Sequence, residues 1–386
     1  MKRIAIVTAT RAEYGLFSPI ITELRKWESE HFRTELIVTG THLNDKYGKT
    51  VSEIENAGVR IDYRIPIPVA SDTAQDISGN QADVLVKFTR LFMEERFDAL
   101  MLLGDRYETL SIAIAAGNTH IPIFHLCGGD TTEGAIDEWI RHSITKISYL
   151  HFVTNERSRK RVIQMGENPS RVFNYGSTSI DNIMVVAKRN KQDALASIGL
   201  PDCRYALCTY HPVTMNDVSV DAEVDCIKSV IRMFPDIAFI FTKANADEGG
   251  GRINSLLDKA ASEMENLYLY SSLGVKQYLS LMCYADFIFG NSSSGIIEAP
   301  AFHVPTVNVG DRQKGRLRSK SVIDCPVNER AIMEAVQKAE SLEFRESIKN
   351  DITPYGDGHA AEKIAEKAYE MIMFGSINLK KSFHEI

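Results

Sequence analysis

Ala285-Asp286-Phe287-Ile288-Phe289-Gly290-Asn291-Ser292-Ser293-Ser294-Gly295-Ile296-Ile297-Glu298 decides how the chain is read. The first five residues are short and apolar enough for a buried strand. Ile296-Ile297-Glu298-Ala299 reads as a first helical turn. A strand that ends in small residues and opens into a helix leaves several backbone N–H groups unpaired and pointing one way. With the helix dipole and three serine hydroxyls they make a seat for an anion. Gly290 and Gly295 let backbone approach a bulky phosphate. Glu298 sits about one turn further in, where a carboxylate suits a diol such as a ribose. A serine-capped helix with a solvated glutamate is the competing reading.

Working outward, the same strand-then-helix unit recurs along the chain. Ile4–Thr8, Thr34–Thr39, Arg60–Ile65, Ala99–Leu103, Pro122–His125, His151–Thr154 and Val172–Tyr175 read as strands, with helices at Phe17–Trp27, Ala82–Glu95, Leu110–Gly117, Glu138–Ser148 and Glu156–Met165. After Gly176-Ser177-Thr178, read as a hinge, the pattern restarts with strands at Tyr205–Thr209, Ala238–Thr242, Leu267–Tyr270 and Pro305–Val309. Strands alternating with helices, with glycines at the strand ends, predict α/β architecture: two doubly wound Rossmann-like domains facing a central cleft. Residues 1–175 form the first domain, joined by the C-terminal helix 361–386, and residues 176–360 the second. Ligands of such sheets sit outside the strand C-termini. The second domain, which holds the anchor stretch, is expected to take a nucleotide, and the first, rich in acids at strand ends, the reacting group.

The composition fits this. The 386 residues are 44% hydrophobic and 25% charged, as in a globular protein of two ordinary domains. A net charge of −7 without a basic stripe argues against nucleic acid as a partner. The six cysteines form no CxxC pair, so they read as reduced, buried thiols rather than zinc ligands or a redox pair. The chain opens directly on a strand and no run reaches the ~18 apolar residues of a membrane span, so no membrane contact and a cytoplasmic location are expected.

The candidate chemistry lies at the strand ends. In the first half, Arg11 follows the first strand, and Asp105 and Arg106 follow the fourth as a base with an orienting cation. Asp130, Asp137 and Glu138 follow a glycine pair, with Arg141 and His142 one turn later. Carboxylates in unlike environments can divide into proton acceptor and donor. Glu138 reads instead as part of a helix-start charge set. In the second half, His211 precedes Pro212 at a loop mouth, where it can donate to a phosphate oxygen or protonate a leaving phosphate. Arg312 can clamp a diphosphate, Asn245 can bind a phosphate or a base, and Lys314, Arg316, Arg318 and Lys320 read as a solvated basic loop.

Taken together, Arg11-Ala12-Glu13-Tyr14-Gly15, Gly104-Asp105-Arg106-Tyr107-Glu108, Gly128-Gly129-Asp130, Ile140–Lys146, His211-Pro212, Gly290–Glu298 and Gly310–Arg316 resemble the hydrolysing UDP-N-acetylglucosamine 2-epimerases of bacterial sialic-acid pathways. The resemblance runs from Arg3 to about Asp324. It implies a glycosyltransferase-B fold, a homodimer, no metal and no cofactor. It implies conversion of UDP-N-acetylglucosamine to N-acetylmannosamine and UDP through a glycal. Asp105 and Asp137 would be acid/base residues, and His211 a diphosphate contact or leaving-group acid. Ser292, Ser293, Arg11 and Arg312 would bind phosphates and Glu298 the ribose, with Arg106, Arg141 and Asn245 as further substrate contacts. One position departs: Cys127 stands where many members carry glutamate and some histidine, and Asp130, three residues on, can stand in for it. The alternatives are the same chemistry on UDP-2,4-diacetamido-2,4,6-trideoxyglucose, a non-hydrolysing epimerase, a glycosyltransferase of the same architecture, and a silent UDP-sugar sensor.

Overall fold

The computed structural model describes residues 1–45, 49–69, 73–132, 136–185, 190–212, 219–244 and 249–385. They form two compact units. The first comprises Met1–Asp130, Ile136–Asn182 and Tyr355–Ile386, the second Thr131–Ala135 and Ile183–Pro354.

The first unit holds β1 (Lys2–Thr8), β2 (Phe32–Thr39), β3 (Tyr63–Ile65), β4 (Ala99–Leu103), β5 (Ile123–Leu126), β6 (Leu150–Val153) and β7 (Val172–Asn174), in the sheet order β3-β2-β1-β4-β5-β6-β7. The second holds β8 (Tyr205–Thr209), β9 (Ala238–Thr242), β10 (Leu267–Tyr270), β11 (Phe287–Gly290), β12 (Thr306–Val309) and β13 (Val322–Cys325), in the order β10-β9-β8-β11-β12-β13. Every pairing is parallel. Both sheets therefore reverse direction at the same place, between the first and fourth strands of each unit. Ile4 pairs with Ala99 at one reversal, and Phe289 with Cys208 at the other. The crevice at such a reversal is where open α/β sheets bind ligands.

The strands read as unbroken apolar runs because helices cover both faces. In β1, Ile4 and Ile6 enter one core and Ala5 and Val7 the other. In β4, Ala99, Met101 and Leu103 divide in the same way from Leu100 and Leu102. The helix Ala360–Met373 returns to the first core, where Ala361, Ile364, Ala365, Ala368 and Ile372 join Phe17, Ile20, Ile21 and Leu24 of the helix Arg11–Arg25. The segment beyond it is clasped as well. Buried Glu167 receives Lys381 (2.7 Å), Lys146 (2.6 Å) and the His151 imidazole (3.1 Å). Burial works to raise the Glu167 pKa, but these donors outweigh it and hold it at about 2. Among the described residues no helix is long and apolar enough to cross a membrane.

Three expectations are corrected. The first helix begins at Arg11, not Phe17, because Thr10 and Glu13 form a reciprocal capping box: Glu13 N–H donates to Thr10 Oγ1, and Thr10 N–H donates to Glu13 Oε2, each at 3.3 Å. Pro19 lies inside that helix and cannot donate to the Gly15 carbonyl, which instead accepts from Asn182 Nδ2 at 2.7 Å. The third strand is only Tyr63–Ile65. Gly176-Ser177-Thr178 lies within the first unit, where Ser177 N–H donates to Tyr355 O and Thr178 Oγ1 to Leu16 O, both at 2.7 Å. The basic loop ends in an unforeseen strand, β13, and Arg318 ties it down through Asp324 (3.0 Å) and the carbonyls of Gln313 and Arg316 (2.7 Å each).

Candidate active site

At the reversal in the first sheet, the turn after β4 carries Asp105 and Arg106, and Glu108 lies in the first turn of the helix Tyr107–Asn118 that follows. The helix Asp137–Ile147 brings Arg141 to them from the β5 side. Arg141 is 1% exposed, and its guanidinium bonds Asp105 Oδ2, the Asp130 carbonyl (2.9 Å) and Glu138 Oε2 (3.2 Å). Burial opposes its charge, but Asp105, Asp130 and Glu138 outweigh that and hold it firmly protonated. Asp105 thus meets Arg141, while Arg106 Nε pairs with Glu108 Oε1 at 2.7 Å. Glu138 also meets His142 Nε2 at 3.2 Å, the helix-start charge set expected for it. Asp137 is the first residue of that helix and half-buried. Arg11, the first residue of its own helix, is half-buried too.

Asp130 sits differently. Its Oδ1 accepts from Ser158 Oγ (2.5 Å), Thr154 Oγ1 (3.0 Å) and Asn155 Nδ2 (3.3 Å), so the side chain is tied to the end of β6 and the following helix. Between Asp130 and β5 stands Cys127, with φ 62° and its N–H bonded to Phe152 O at 2.9 Å. A left-handed cysteine costs about 1–2 kcal/mol and recurs where a turn is held for function. Beneath Asp105, buried His125 bridges the Gly104 carbonyl (3.0 Å) and Thr145 Oγ1 (3.3 Å). Burial drops its pKa to about 3, so it braces the β4 end as a neutral ring.

At the reversal in the second sheet, Gly290 ends β11 with φ 124°, and a Cβ there would run into the Thr209 carbonyl. The next residue organises the loops. Asn291 is fully buried: its Oδ1 accepts from His211 N–H (2.7 Å), its Nδ2 donates to His211 O (2.8 Å), and its carbonyl accepts from Gln313 (2.8 Å) and Arg312 (3.4 Å). One residue therefore joins the ends of β8, β11 and β12. Burial, reinforced by the charge of Arg312, pushes the His211 imidazole well below its ordinary pKa and keeps it neutral. Ser292 caps the short helix Ser293–Ile297 by accepting from Ser294 N–H at 3.4 Å, and Ser294 Oγ bonds Tyr278 at 2.7 Å. Ser293 opens that helix and half-buried Glu298 closes it. The expected contact Asn245 lies outside the described residues.

Asp105 and Arg141 are thus brought into direct contact, with Arg106 and Glu108 at the start of the helix after Asp105, and His211, Arg312 and the residues leading into Ser292 meet around Asn291. Sequence reasoning passed over Asn291, His125, Glu13 and Glu108. The Thr10-x-x-Glu13 spacing was a readable signal for one of them.

A family model described as UDP-N-acetylglucosamine 2-epimerase matches residues 25–368. The chain is 39% identical over 387 residues to the GDP/UDP-N,N'-diacetylbacillosamine 2-epimerase (hydrolyzing) of Campylobacter jejuni, a match covering 100% of this chain and 99% of that one. It is also 39% identical over 356 residues to the polysialic acid biosynthesis protein P7 of Escherichia coli, covering 92% and 90% of the two. The fold is shared with the crystal structure of UDP-GlcNAc 2-epimerase from Neisseria meningitidis bound to UDP-GlcNAc, with a TM-score of 0.81, 20% identity and coverage of 96% and 100%. With a family match across most of its length and a near-full-length relative well above 30% identity, the chain belongs to the UDP-N-acetylglucosamine 2-epimerase family.

Proposed function

We propose that the protein is a hydrolysing UDP-sugar 2-epimerase that turns UDP-N-acetylglucosamine into N-acetylmannosamine and UDP, in sialic-acid-type sugar biosynthesis. The observation that carries this reading is the division of labour between the two sheet reversals. One is built of carboxylates around a buried arginine, the other of hydroxyls, an amide, a neutral imidazole and the Arg312 guanidinium. In the first step a carboxylate of the first unit, Asp105 or Asp137, takes the proton from C2. The C2 electron pair forms the C1–C2 double bond as the C1–O bond to UDP breaks, leaving 2-acetamidoglucal. In the second, water adds to C1 and a proton returns to C2 from the opposite face, giving the free, inverted sugar.

Ser292, Ser293, Arg11 and Arg312 hold the diphosphate and Glu298 the ribose, with Asn245 as a further contact. His211, neutral at rest, donates its N–H to the leaving oxygen, because an uncharged imidazole beside Arg312 is a hydrogen-bond donor before it is an acid. Arg106 and Arg141 complete the sugar side, Arg141 by orienting Asp105. Asp130, committed to three donors, holds the turn that carries Arg141's carbonyl partner rather than moving a proton. We extend the reading to a cytoplasmic homodimer, checked by sedimentation.

The test is turnover in deuterated water. UDP and a free sugar deuterated at C2 are expected, and release of UDP with no label at C2 would sink the mechanism. A second reading keeps the chemistry and changes the sugar to UDP-2,4-diacetamido-2,4,6-trideoxyglucose, which is UDP-N,N'-diacetylbacillosamine. It is favoured by the name and near-complete coverage of the Campylobacter relative. Comparing kcat/KM on the two UDP-sugars decides between them.

A further inference from the structure

The helix Asp137–Ile147 delivers Arg141 to Asp105 from its first half, and its other end is held by a segment more than two hundred residues later. With 11 residues it makes only three turns, too few to be rigid without tertiary support. The last carbonyls of any helix lack partners within it. Here Lys381 supplies one. Its ammonium donates to Lys146 O (3.0 Å) and Ser148 O (2.6 Å), at the C-terminus of the helix, and to Glu167 Oε2 (2.7 Å). A cation at that end also meets the negative pole of the helix dipole.

Glu167 lets two ammonium groups come together there. It is fully buried, and Lys146 Nζ reaches its Oε1 at 2.6 Å and the Met165 carbonyl at 2.9 Å. His151 of β6 shares Oε2 with Lys381, at 3.1 Å. One carboxylate thus joins the helix, the sheet and the segment after Met373. The join is repeated three residues on. His384 N–H donates to Gly166 O at 2.9 Å, the Lys146 ammonium lies 5.2 Å from the centre of the Phe383 ring, and a Cβ on Gly166 would run into that ring. All these residues belong to the first unit.

We propose that Lys381 and Glu167 are positioning residues for the reaction: they fix the far end of the helix Asp137–Ile147, so that Arg141 holds Asp105 in place. This rests on the reading of Asp105 as an acid/base residue. Lys146 stands five residues beyond Arg141, about 7.5 Å along the helix axis, so a last turn that frays or swings carries the guanidinium with it. A misplacement of about 1 Å can cost 10²-fold in rate, and a fraction of that is enough to be read.

The experiment combines kcat and KM for the UDP-sugar with amide hydrogen exchange read by mass spectrometry, on the full-length wild type, Lys381→Met, Lys381→Arg and Glu167→Gln. Lys381→Met keeps the apolar stem and removes the ammonium. It should speed exchange over residues 137–148 and leave the helix Arg11–Arg25 as protected as in the wild type, which excludes an unfolded fraction of the first unit. Its kcat should fall about fivefold with KM changed less than twofold. Lys381→Arg, which keeps a cation on the same carbonyls, should recover most of both losses, and Glu167→Gln should exceed Lys381→Met because it leaves two ammonium groups without their shared counter-ion. Exchange over 137–148 equal to the wild type, raised exchange there with kcat unchanged, or an equal rise in Arg11–Arg25 would each overturn the proposal. If the wild type turns over no UDP-sugar, the proposed function fails on its own, because exchange over 137–148 is read without substrate.

Discussion

The two sheets of this molecule share the same point of reversal, yet the chemistry at the two points is opposite. After β4 and β5 the chain places charged groups in pairs: Arg141 with Asp105 and Glu138, Arg106 with Glu108. After β8 and β11 it places neutral donors, the Asn291 amide, the Ser292–Ser294 hydroxyls and an imidazole that burial and the nearby Arg312 guanidinium keep uncharged. A region that moves protons needs titratable groups with partners that set their affinities. A region that grips a polyanion does better with fixed dipoles, which need no counter-ion while the site is empty. Under the proposed function, the fold supplies a place and the residues after the strands supply the task.

The sharpest way to break this contrast is Asp105→Asn. It should cut kcat by roughly 10²–10⁴ while UDP still binds, measured by UDP release and calorimetry. Loss of UDP binding instead would mean that the charged region grips the nucleotide. Next is Arg141→Ala, which strips the cation from three buried or half-buried acceptors and should cost about 3–5 kcal/mol in urea unfolding as well as activity. Arg141→Lys should recover stability better than rate, because an ammonium lacks the planar fork. Asn291→Ala should cost about 1–3 kcal/mol and weaken UDP binding with little change in the deuterium incorporated per turnover, since it undoes the join between the ends of β8 and β11. The smallest effect is expected from Ser293→Ala: a rise in KM worth about 1 kcal/mol, with kcat nearly constant.

What could be read from the sequence reflects the physics of parallel sheets. Ile4–Thr8, Ala99–Leu103 and Phe287–Gly290 bury both faces, so they stand out as apolar runs, and the candidate residues are the polar ones directly after each run. Apolar spacing alone places the start of the first helix at Phe17, whereas the Thr10-x-x-Glu13 capping box marks its true start at Arg11. β13 is hidden because Asp324 interrupts a four-residue run. The pairing of Asp105 with Arg141, 36 residues on, depends on β5 lying next to β4, which no local pattern contains. Asn291 can be seen as one polar residue among several. Its grip on His211, 80 residues earlier, cannot.

The helix Ala360–Met373 has a consequence for the order in which the protein is made. Its side chains complete a core whose other members are synthesised first, including Phe17, Ile20 and Leu24. The unit that leaves the ribosome first must therefore wait with apolar surface uncovered, while the later-made stretch from Ile183 to Pro354 already has its own core. Chains truncated before Ala360 should thus carry a folded second half and a sticky, chaperone-dependent first half.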